Sequence, residues 1–236
     1  GERPSIYWGY VLYGMLMQKV DRCFADYMHE QNLKPLCQHV ICGKNNTAEW
    51  RINLLNEASA EAVIPIFRDS AEWYSGSKGT SFRFSGIELS KPISSKELCD
   101  KYFIDEKPKS NIEIIFKTPC SFKSDESYCI FPSAELTVKS LVNKWNAFTE
   151  DFVLDDEDAL KELLGRTRIA RYELKSVGYH IKGAVIPSFV GSIILSAKGP
   201  EPLMRLFNLI IAFAGYSGVG IKTALGMGGC EVGWQV

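Results

Sequence analysis

Three histidines supply the side chains of this chain that are best suited to move protons near neutral pH. His29 precedes Glu30 at the end of a predicted helix, and Lys34, whose charge can stabilise an anion, follows shortly after. Taken alone, a histidine at a helix end is more simply explained by its interaction with the helix dipole. His39 falls within a predicted strand and is expected to be a core or surface residue, whereas His180 lies in a basic segment.

The segment from residue 166 to residue 182 is locally basic in a chain that is almost neutral overall. With 27 Lys and Arg against 28 Asp and Glu, the net charge is −1, which excludes a generally basic surface but not a local patch. Glu173 is the acid of this segment, and Tyr172 and Tyr179 are interleaved with its cations. A solvated strand face is one interpretation, and nucleic-acid binding is the other. The predicted contacts are Arg166, Arg168, Arg171, Lys175, His180 and Lys182.

Six glycines fall within the fifteen residues from 215 to 229, which we call the glycine segment. A helix C-cap and a turn would account for one or two of them. A phosphate-binding P-loop would need Lys222 directly after Gly220, but Ile221 intervenes, and the segment follows a predicted helix rather than a strand. Because successive backbone amides can bind anions, we expect an exposed loop that contacts a phosphate-bearing ligand.

The remaining reactive side chains predict no metal site and no cofactor. Seven cysteines stand at irregular spacings without a CxxC pair, which indicates reduced thiols rather than a zinc ribbon. The acidic run 155–158 is expected to be a solvated helix start, since no His, Cys or carboxylate group has metal-ligand spacing. The longest apolar run, residues 206–214, is too short to span a bilayer, and we expect a cytoplasmic protein.

The elements that would position these residues follow a repeated order. In the first half, apolar spacing, turns and breakers predict helix, strand, strand, helix and strand. These elements are expected at Ile6–Glu30, Leu36–Cys42, Glu49–Leu55, Ser59–Arg68 (with Ser59 as N-cap) and Ser81–Leu89. In the second half they are expected at 111–118, 132–150, 169–177, 184–197, 202–214 and 227–236, with a short inserted helix after residue 150.

The second half therefore has the order β-α-β-β-α-β of a ferredoxin-like unit with one insertion. The first half would be the same unit without its first strand, which a segment ahead of residue 1 would supply. We thus predict an α+β protein with two tandem ferredoxin-like domains, at residues 1–92 and 110–236, joined by a segment that contains a helix at Ser95–Phe103.

An apolar helix, a spaced set of glycines and a closing strand together resemble the C-terminal signature of RAMP-type proteins. The chain is similar to the CRISPR-associated endoribonuclease 6 family, which cuts CRISPR repeat RNA, over nearly its whole length. Trp145 and the run Phe116–Pro119 agree with the same family pattern. The glycine-segment residues that fit the signature are Gly218, Gly220, Lys222, Thr223, Gly226, Met227 and Gly228.

The resemblance implies a metal-independent endoribonuclease in which a ribose 2′-oxygen attacks the adjacent phosphate. Such a reaction needs a base, an acid and positive charge near the phosphorane. His29 and Lys34 match the family's catalytic His-Glu pair at the end of the first helical region and the lysine after it. The implied partners are CRISPR repeat RNA, contacted by the basic segment and the glycine segment, and subunits of a CRISPR effector complex.

One residue departs from the family pattern. Several members carry a tyrosine three residues after a glycine that matches Gly14, and Met17 stands there in this chain. A thioether cannot exchange protons, which leaves the second proton-transfer group unassigned. The alternative function is therefore a non-catalytic RNA-binding RAMP subunit of a CRISPR effector complex. The sequence leaves the oligomeric state open.

Overall fold

The computed structural model describes residues 3–68, 72–76, 79–124, 126–149, 152–181 and 183–234. Within these residues, helices and strands alternate in a mixed α+β arrangement, as predicted. No helix in these ranges combines the length and the apolar character that crossing a membrane requires.

Two helices replace the single helix that is predicted at Ile6–Glu30. Helix α1 spans Trp8–Met17 and helix α2 spans Arg22–Glu30. Between them Asp21 is extended, and its carboxylate accepts a hydrogen bond from the Cys23 amide at 2.8 Å. The single-helix prediction is therefore wrong, because apolar spacing did not reveal an aspartate that caps a second helix.

The predicted strand pair after α2 is confirmed. Strand β1 spans Leu36–Cys42 and pairs antiparallel with strand β2, which spans Ala48–Leu54. Helix α3 spans Glu57–Val63, and Asn56 is its N-cap. The prediction of Ser59 as N-cap is wrong: its side chain instead returns a hydrogen bond to the backbone of the cap, as the third residue of a capping box.

A short 3₁₀ turn at Ile64–Phe67 follows α3, and a hairpin of β3 (Glu72–Ser75) and β4 (Thr80–Arg83) completes the first half. The predicted strand Ser81–Leu89 therefore ends at Arg83. Residues 84–94 contain no helix or strand. Phe84 packs against Trp50 and Trp73, whereas Ile87, Leu89 and Ile93 are exposed.

The second half has the predicted order of elements, with ends that differ by a few residues. One hairpin, β6–β7, was not predicted. The elements are α4 (Ser95–Asp100, continued by a π turn at Lys101–Asp105), β5 (Asn111–Cys120), β6 (Phe122–Ser124), β7 (Ser127–Cys129), α5 (Ala134–Phe148), α6 (Glu157–Arg166), β8 (Thr167–Ile181), β9 (Ala184–Ala197), α7 (Glu201–Ser217) and β10 (Cys230–Trp234). Asp156 caps α6 by accepting a hydrogen bond from the Ala159 amide, so the acidic run begins a helix as predicted.

Four strands of the second half form one antiparallel sheet in the order β10-β5-β9-β8. Ile112 and Ile114 of β5 lie opposite Leu195 and Ile193 of β9, and all four side chains are completely buried. Helices α5 and α7 contribute to the same core, so they cover one face of the sheet. Alternate residues of each strand point to the other face, and β8 is an edge strand.

The hydrophobic cores of the two halves are separate clusters that meet at the glycine segment. The larger cluster contains buried residues from 98 to 230, and the smaller one contains residues from 12 to 82 together with Ala224. The buried side chain of Gln38 on β1 donates hydrogen bonds to the carbonyl oxygens of Gly9, at 2.8 Å, and Ala224, at 3.0 Å. The glycine segment is thus part of the contact between the halves.

Candidate functional site

Helix α2 carries His29 on its last turn, with the side chain exposed. The preceding residue, Met28, is completely buried in the smaller core and fixes the helix against it. The Asp21 cap starts α2 as a helix separate from α1. The local structure therefore presents His29 to solvent at a helix end, as predicted.

Lys34 follows α2 in sequence, and its side chain points back to the C-terminal end of the same helix. Its ammonium donates a hydrogen bond to the carbonyl oxygen of Gln31, the C-cap residue of α2, at 2.8 Å. A cation is favoured at this position because the carbonyl end of a helix carries partial negative charge. His29 and Lys34 are consequently brought to one helix end.

The glycine segment adds a second lysine to this position. Burial and the nearby charge of Lys222 both lower the pKa of Lys34, and burial has the larger effect. Two ammonium groups placed close together repel each other, and an anion bound between them would remove that cost. The pair is therefore suited to bind a phosphate or to stabilise a phosphorane.

Lys222 occupies an unusual backbone conformation that directs its side chain outward. Its φ of 56° and ψ of 34° lie in the left-handed region, which residues other than glycine rarely adopt. It precedes a 3₁₀ turn at Thr223–Leu225, and its carbonyl oxygen accepts hydrogen bonds from the amides of Leu225 and Met227. Lys222 itself is exposed, although the residues that follow it are buried.

Most of the glycine segment is buried, contrary to the expectation of an exposed loop. It does connect the last helix to the last strand, as predicted. Gly218 is the C-cap of α7, with a φ of 63°. A Cβ at Gly228 would overlap the carbonyl oxygen of Val219, and one at Gly220 would overlap that of Ser121. Close packing against other backbone explains why these two positions are glycine.

The backbone amides of the glycine segment are largely used within the fold. The Val219 amide donates to Gly228, and the Gly228 amide to Pro119, both at 2.9 Å. The Ile221 amide donates to the carbonyl oxygen of Ser121 at 3.0 Å. These amides do not form the anion-binding nest that we expected, because each already has a carbonyl partner. The exposed cation Lys222 remains the part of the segment that can reach a ligand.

Strand β8 collects three of the predicted basic contacts on one face. Arg168, Arg171 and Lys175 are exposed, and their β9 partners alternate with the buried core residues Leu195 and Ile193. The three cations therefore lie on the sheet face opposite α5 and α7. We call these three cations the basic strip of the edge strand; the exposed Glu173 lies on the same face between Arg171 and Lys175, so the strip also contains one carboxylate.

The other basic residues predicted for this segment lie elsewhere. Arg166 ends α6 and forms an ion pair with Glu162 at 2.8 Å. His180 is exposed near the tip of the β8–β9 hairpin, on the opposite alternation from the basic strip, and its ring meets the edge of Tyr7 with centroids 5.4 Å apart. Lys182 lies outside the described residues.

His39 is buried where strand β1 meets the glycine segment, and neither of its ring nitrogens has a hydrogen-bond partner in the described structure. Burial, followed by the nearby charge of Arg51, lowers the pKa of His39 to about 4. Glu231 lies close by and pairs with Lys117 at 2.7 Å and with Arg51 at 3.4 Å. Lys117 is therefore paired with a carboxylate and is not a free cation beside the glycine segment.

The pairing of Lys34 with Lys222 is the feature of this site that sequence reasoning missed. Lys222 was predicted as an RNA contact, but nothing local connects it to a residue near the other end of the chain. Tertiary packing alone brings them together. All seven cysteines are free thiols, and within the described ranges no three His, Cys, Asp or Glu side chains are placed to bind a metal ion.

Comparison with known sequences shows which named proteins this chain is similar to. The family model described as CRISPR-associated endoribonuclease Cas6 matches residues 114–230. The CRISPR-associated endoribonuclease Cas6 of Streptococcus thermophilus is 32% identical over 220 residues, which cover 93% of this chain and 89% of that protein. The protein of the same name from Mycobacterium tuberculosis is 26% identical over 94% of this chain and 70% of its own length.

Solved structures of similar fold carry related names. A Cas6 product complex matches with a TM-score of 0.83 and 23% identity, covering 98% of this chain and 94% of the other. A Thermus thermophilus Cas6 matches with a TM-score of 0.71 and 21% identity, over 98% and 93% of the two chains. At these identities the structures establish a common fold.

Proposed function

This chain belongs to the CRISPR-associated endoribonuclease Cas6 family, and on that premise we propose that it cleaves CRISPR repeat RNA into guide RNAs without a metal ion. The observation that carries the proposal is the end of α2, where His29 lies on the last turn, Lys34 donates to the Gln31 carbonyl oxygen, and the charge of Lys222 is near enough to lower the pKa of Lys34. Phosphodiester cleavage by a neighbouring hydroxyl requires proton transfers and positive charge near the phosphorane; His29 can supply one proton transfer, and the two lysines can supply the charge.

In the proposed reaction, a bond forms between the ribose 2′-oxygen and phosphorus, and the bond from phosphorus to the 5′-oxygen breaks. One proton leaves the 2′-hydroxyl and one proton reaches the departing 5′-oxygen. His29 carries one of these transfers and solvent water carries the other, because an imidazole exchanges protons near neutral pH and this one is exposed at the helix end. Lys34 and Lys222 stabilise the extra negative charge of the phosphorane. The products are a 2′,3′-cyclic phosphate and a 5′-hydroxyl.

Cleavage of a cognate repeat RNA in the presence of EDTA tests this mechanism. We expect activity to persist and the upstream fragment to end in a 2′,3′-cyclic phosphate or in the 3′-phosphate that forms from it by hydrolysis. Loss of activity with chelator, or a 3′-hydroxyl end, would contradict the mechanism. Mass spectrometry of the fragments distinguishes the three ends.

The RNA would approach this site along the basic strip Arg168, Arg171 and Lys175, whose exposure supports contact with phosphates. Lys222 contributes through the cation pair described above. Burial supports a role in packing for Gly218, Thr223, Gly226 and Gly228, and the close Ser121 carbonyl oxygen supports it for Gly220. Contact of these five residues with RNA stays a prediction, as it does for Arg166, His180 and Lys182. Association with effector-complex subunits also stays a prediction.

We also propose that the chain comprises two ferredoxin-like units, at residues 1–92 and 110–236. The four-stranded antiparallel sheet of the second half and the separate cores of the two halves support this division. In the first half the described strands form two separate pairs, β1–β2 and β3–β4.

A non-catalytic RNA-binding subunit is the second candidate, and Met17 is the observation that favours it. Met17 ends α1 and packs against the smaller core. Tyr13, one turn earlier, is buried, and burial raises its pKa to about 12, so it is a poor proton donor to a solvent-exposed substrate. Tight binding of repeat RNA without any cleavage would support this second function.

A further inference from the structure

Lys144 on α5 is a buried cation that the proposed reaction does not use. It is 4% exposed, which is exceptional for a lysine. Its ammonium donates hydrogen bonds to the carbonyl oxygens of Gly218, at 2.9 Å, and Ser217, at 3.4 Å. These two carbonyl groups lie at the C-terminal end of α7, where a positive charge is favoured by the helix dipole.

The surroundings of Lys144 offer no other strong compensation for its charge. Burial lowers its pKa to about 8, and the neighbouring groups that oppose this shift are the thiols of Cys37, Cys120 and Cys230. All three cysteines are buried, and burial raises their thiol pKa values, so they remain uncharged near neutral pH. The ammonium therefore depends on the two backbone carbonyls. The Gly218 carbonyl oxygen also accepts a hydrogen bond from the Ser217 hydroxyl at 3.0 Å, so Lys144 is one of its two donors.

Ser140, on the same face of α5 as Lys144, binds the glycine segment at Gly220. Ser140 lies one turn before Lys144 on α5, and its hydroxyl oxygen accepts a hydrogen bond from the Gly220 amide at 2.9 Å. Helix α5 thus binds the glycine segment at Gly218 and at Gly220. After one further residue, Ile221, the chain reaches Lys222.

We propose that Lys144 is a positioning residue for the active site: its ammonium fixes the backbone at Ser217 and Gly218 and thereby places Lys222 beside Lys34. This inference rests on the proposed function for its effect on cleavage. The placement itself can be tested without RNA. The hydrogen bonds of Lys144 go to the backbone at Ser217 and Gly218 and not to Lys34 or Lys222. Its effect on the two site lysines therefore passes through the backbone of the glycine segment.

The placement is tested by measuring the pKa of Lys34 by NMR in the free protein. Lys222 lowers the pKa of Lys34, so Lys222→Ala should raise it. If Lys144 positions Lys222, Lys144→Met should raise the pKa of Lys34 in the same direction. Thr137→Val is the matched control, because its buried hydroxyl donates within α5 to Ser133 and not to the glycine segment. An unchanged pKa in folded Lys144→Met would overturn the inference.

The effect on catalysis is tested by a double-mutant cycle in single-turnover cleavage at saturating repeat RNA. Displacement of a catalytic group by about 1 Å can cost about 100-fold, and we expect Lys144→Met to slow cleavage by about 10- to 100-fold. Added to Lys222→Ala, it should change the rate little, because both act on the same group. Multiplicative effects would contradict a role through Lys222.

Failure of the proposed function is distinguishable from failure of this inference. If the wild-type protein does not cleave RNA, the endoribonuclease proposal fails, while the pKa of Lys34 still reports whether Lys144 places Lys222. If Lys144→Met does not fold, Lys144→Arg and Lys144→Gln alter the same contact with the Ser217 and Gly218 carbonyl oxygens and keep a hydrogen-bond donor at this position. A rise in the pKa of Lys34 supports the inference, and no rise in a folded variant contradicts it.

Discussion

His29 and Lys34 have different physical tasks although they share one helix end. The His29 side chain is exposed, whereas its neighbour Met28 holds α2 in the smaller core, so substitution of His29 should leave the fold intact. Lys34 is half-buried, donates to the Gln31 carbonyl and is repelled by Lys222. Proton transfer and charge stabilisation are thus assigned to separate side chains, which makes them separable by mutation.

His29→Ala should lower the single-turnover cleavage rate by about 10²- to 10⁴-fold, which is the usual contribution of positioned proton transfer. Affinity for the repeat should change little, because several phosphate contacts share the binding energy. Parallel measurements of rate and dissociation constant on one repeat check both statements. His180→Ala is measured alongside, because His180 is the other exposed histidine of the described residues. Equal rates for wild type and His29→Ala would place the active site elsewhere.

His39 makes the stability of the protein depend on pH in a direction that can be stated. Its pKa is about 4 in the folded protein and about 6.5 when exposed, so the unfolded chain binds more protons between these values. The stabilisation is complete above pH 6.5 and is lost as the pH falls toward 4, by roughly 3 kcal/mol. The free energy of unfolding, measured in denaturant at pH 7 and pH 4.5, checks this.

The free energy of unfolding of His39→Leu should not fall in acid for this reason. The difference in this free energy between His39→Leu and wild type should therefore shift in favour of the variant from pH 7 to pH 4.5. The leucine also removes the two ring nitrogens that lack partners. Parallel curves for the two proteins would show that His39 is not the group that titrates.

At the scale of elements, the glycine segment and strand β8 have contrasting roles. The segment is buried between the two halves, and its amides bond to β5, α5 and its own turn. Strand β8 lies at the edge of the sheet and exposes its cations. The segment therefore supports the site from inside, and β8 offers a surface from outside.

Gly228→Ala should destabilise the protein by several kcal/mol, because the new Cβ would overlap the carbonyl oxygen of Val219 at a φ of 62°. Thermal unfolding measures the effect. Gly14→Ala is the matched control: nothing lies within 4 Å of its added Cβ, and it stands inside α1. Because alanine favours a helix interior over glycine, this variant should gain up to about 1 kcal/mol. Equal destabilisation of both variants would contradict the packing argument.

The basic strip of β8 should appear in the salt dependence of RNA binding. Each phosphate contact to single-stranded nucleic acid contributes about 0.7 to the slope of log affinity against log salt. Replacing Arg168, Arg171 and Lys175 together by alanine should reduce the slope by about 2 and weaken binding at low salt. Fluorescence anisotropy with a labelled repeat at several salt concentrations measures it.

A control triple variant carries the same charge change on another surface. Lys96, Lys107 and Lys109 are exposed in the segment that joins the halves. Their replacement by alanine should leave the slope nearly unchanged. If both triple variants reduced it equally, the strip on β8 would have no special role.

At the scale of the whole molecule, the site exists because the two halves meet. Lys34 belongs to the first half and Lys222 to the second, and the glycine segment contributes Ala224 to the core of the first half. Gln38 reinforces this contact through two backbone carbonyls, and His39 lies beside it. Substitutions that loosen the contact between halves should therefore affect the site even at a distance.

The sequence by itself was sufficient for those features that depend on local chemistry. Strand β1, the order of elements in the second half and the placement of His29 at a helix end were predicted correctly, because periodicity, turns and short spacings are local properties. The family could also be identified from the spacing of the glycines and the residues around them. The break between α1 and α2 was missed, although Asp21 was its visible signal, because apolar periodicity continued across it.

Only the tertiary structure decided which distant groups meet. The pairing of Lys34 with Lys222 and the neutralisation of Lys117 by Glu231 depend on packing between elements. The burial of Lys144 beneath the end of α7 depends on it as well. The glycine segment illustrates the physical reason: glycine permits an exposed anion-binding loop and a tightly packed buried one alike. Whether its amides find carbonyl partners is settled by the elements that pack around it.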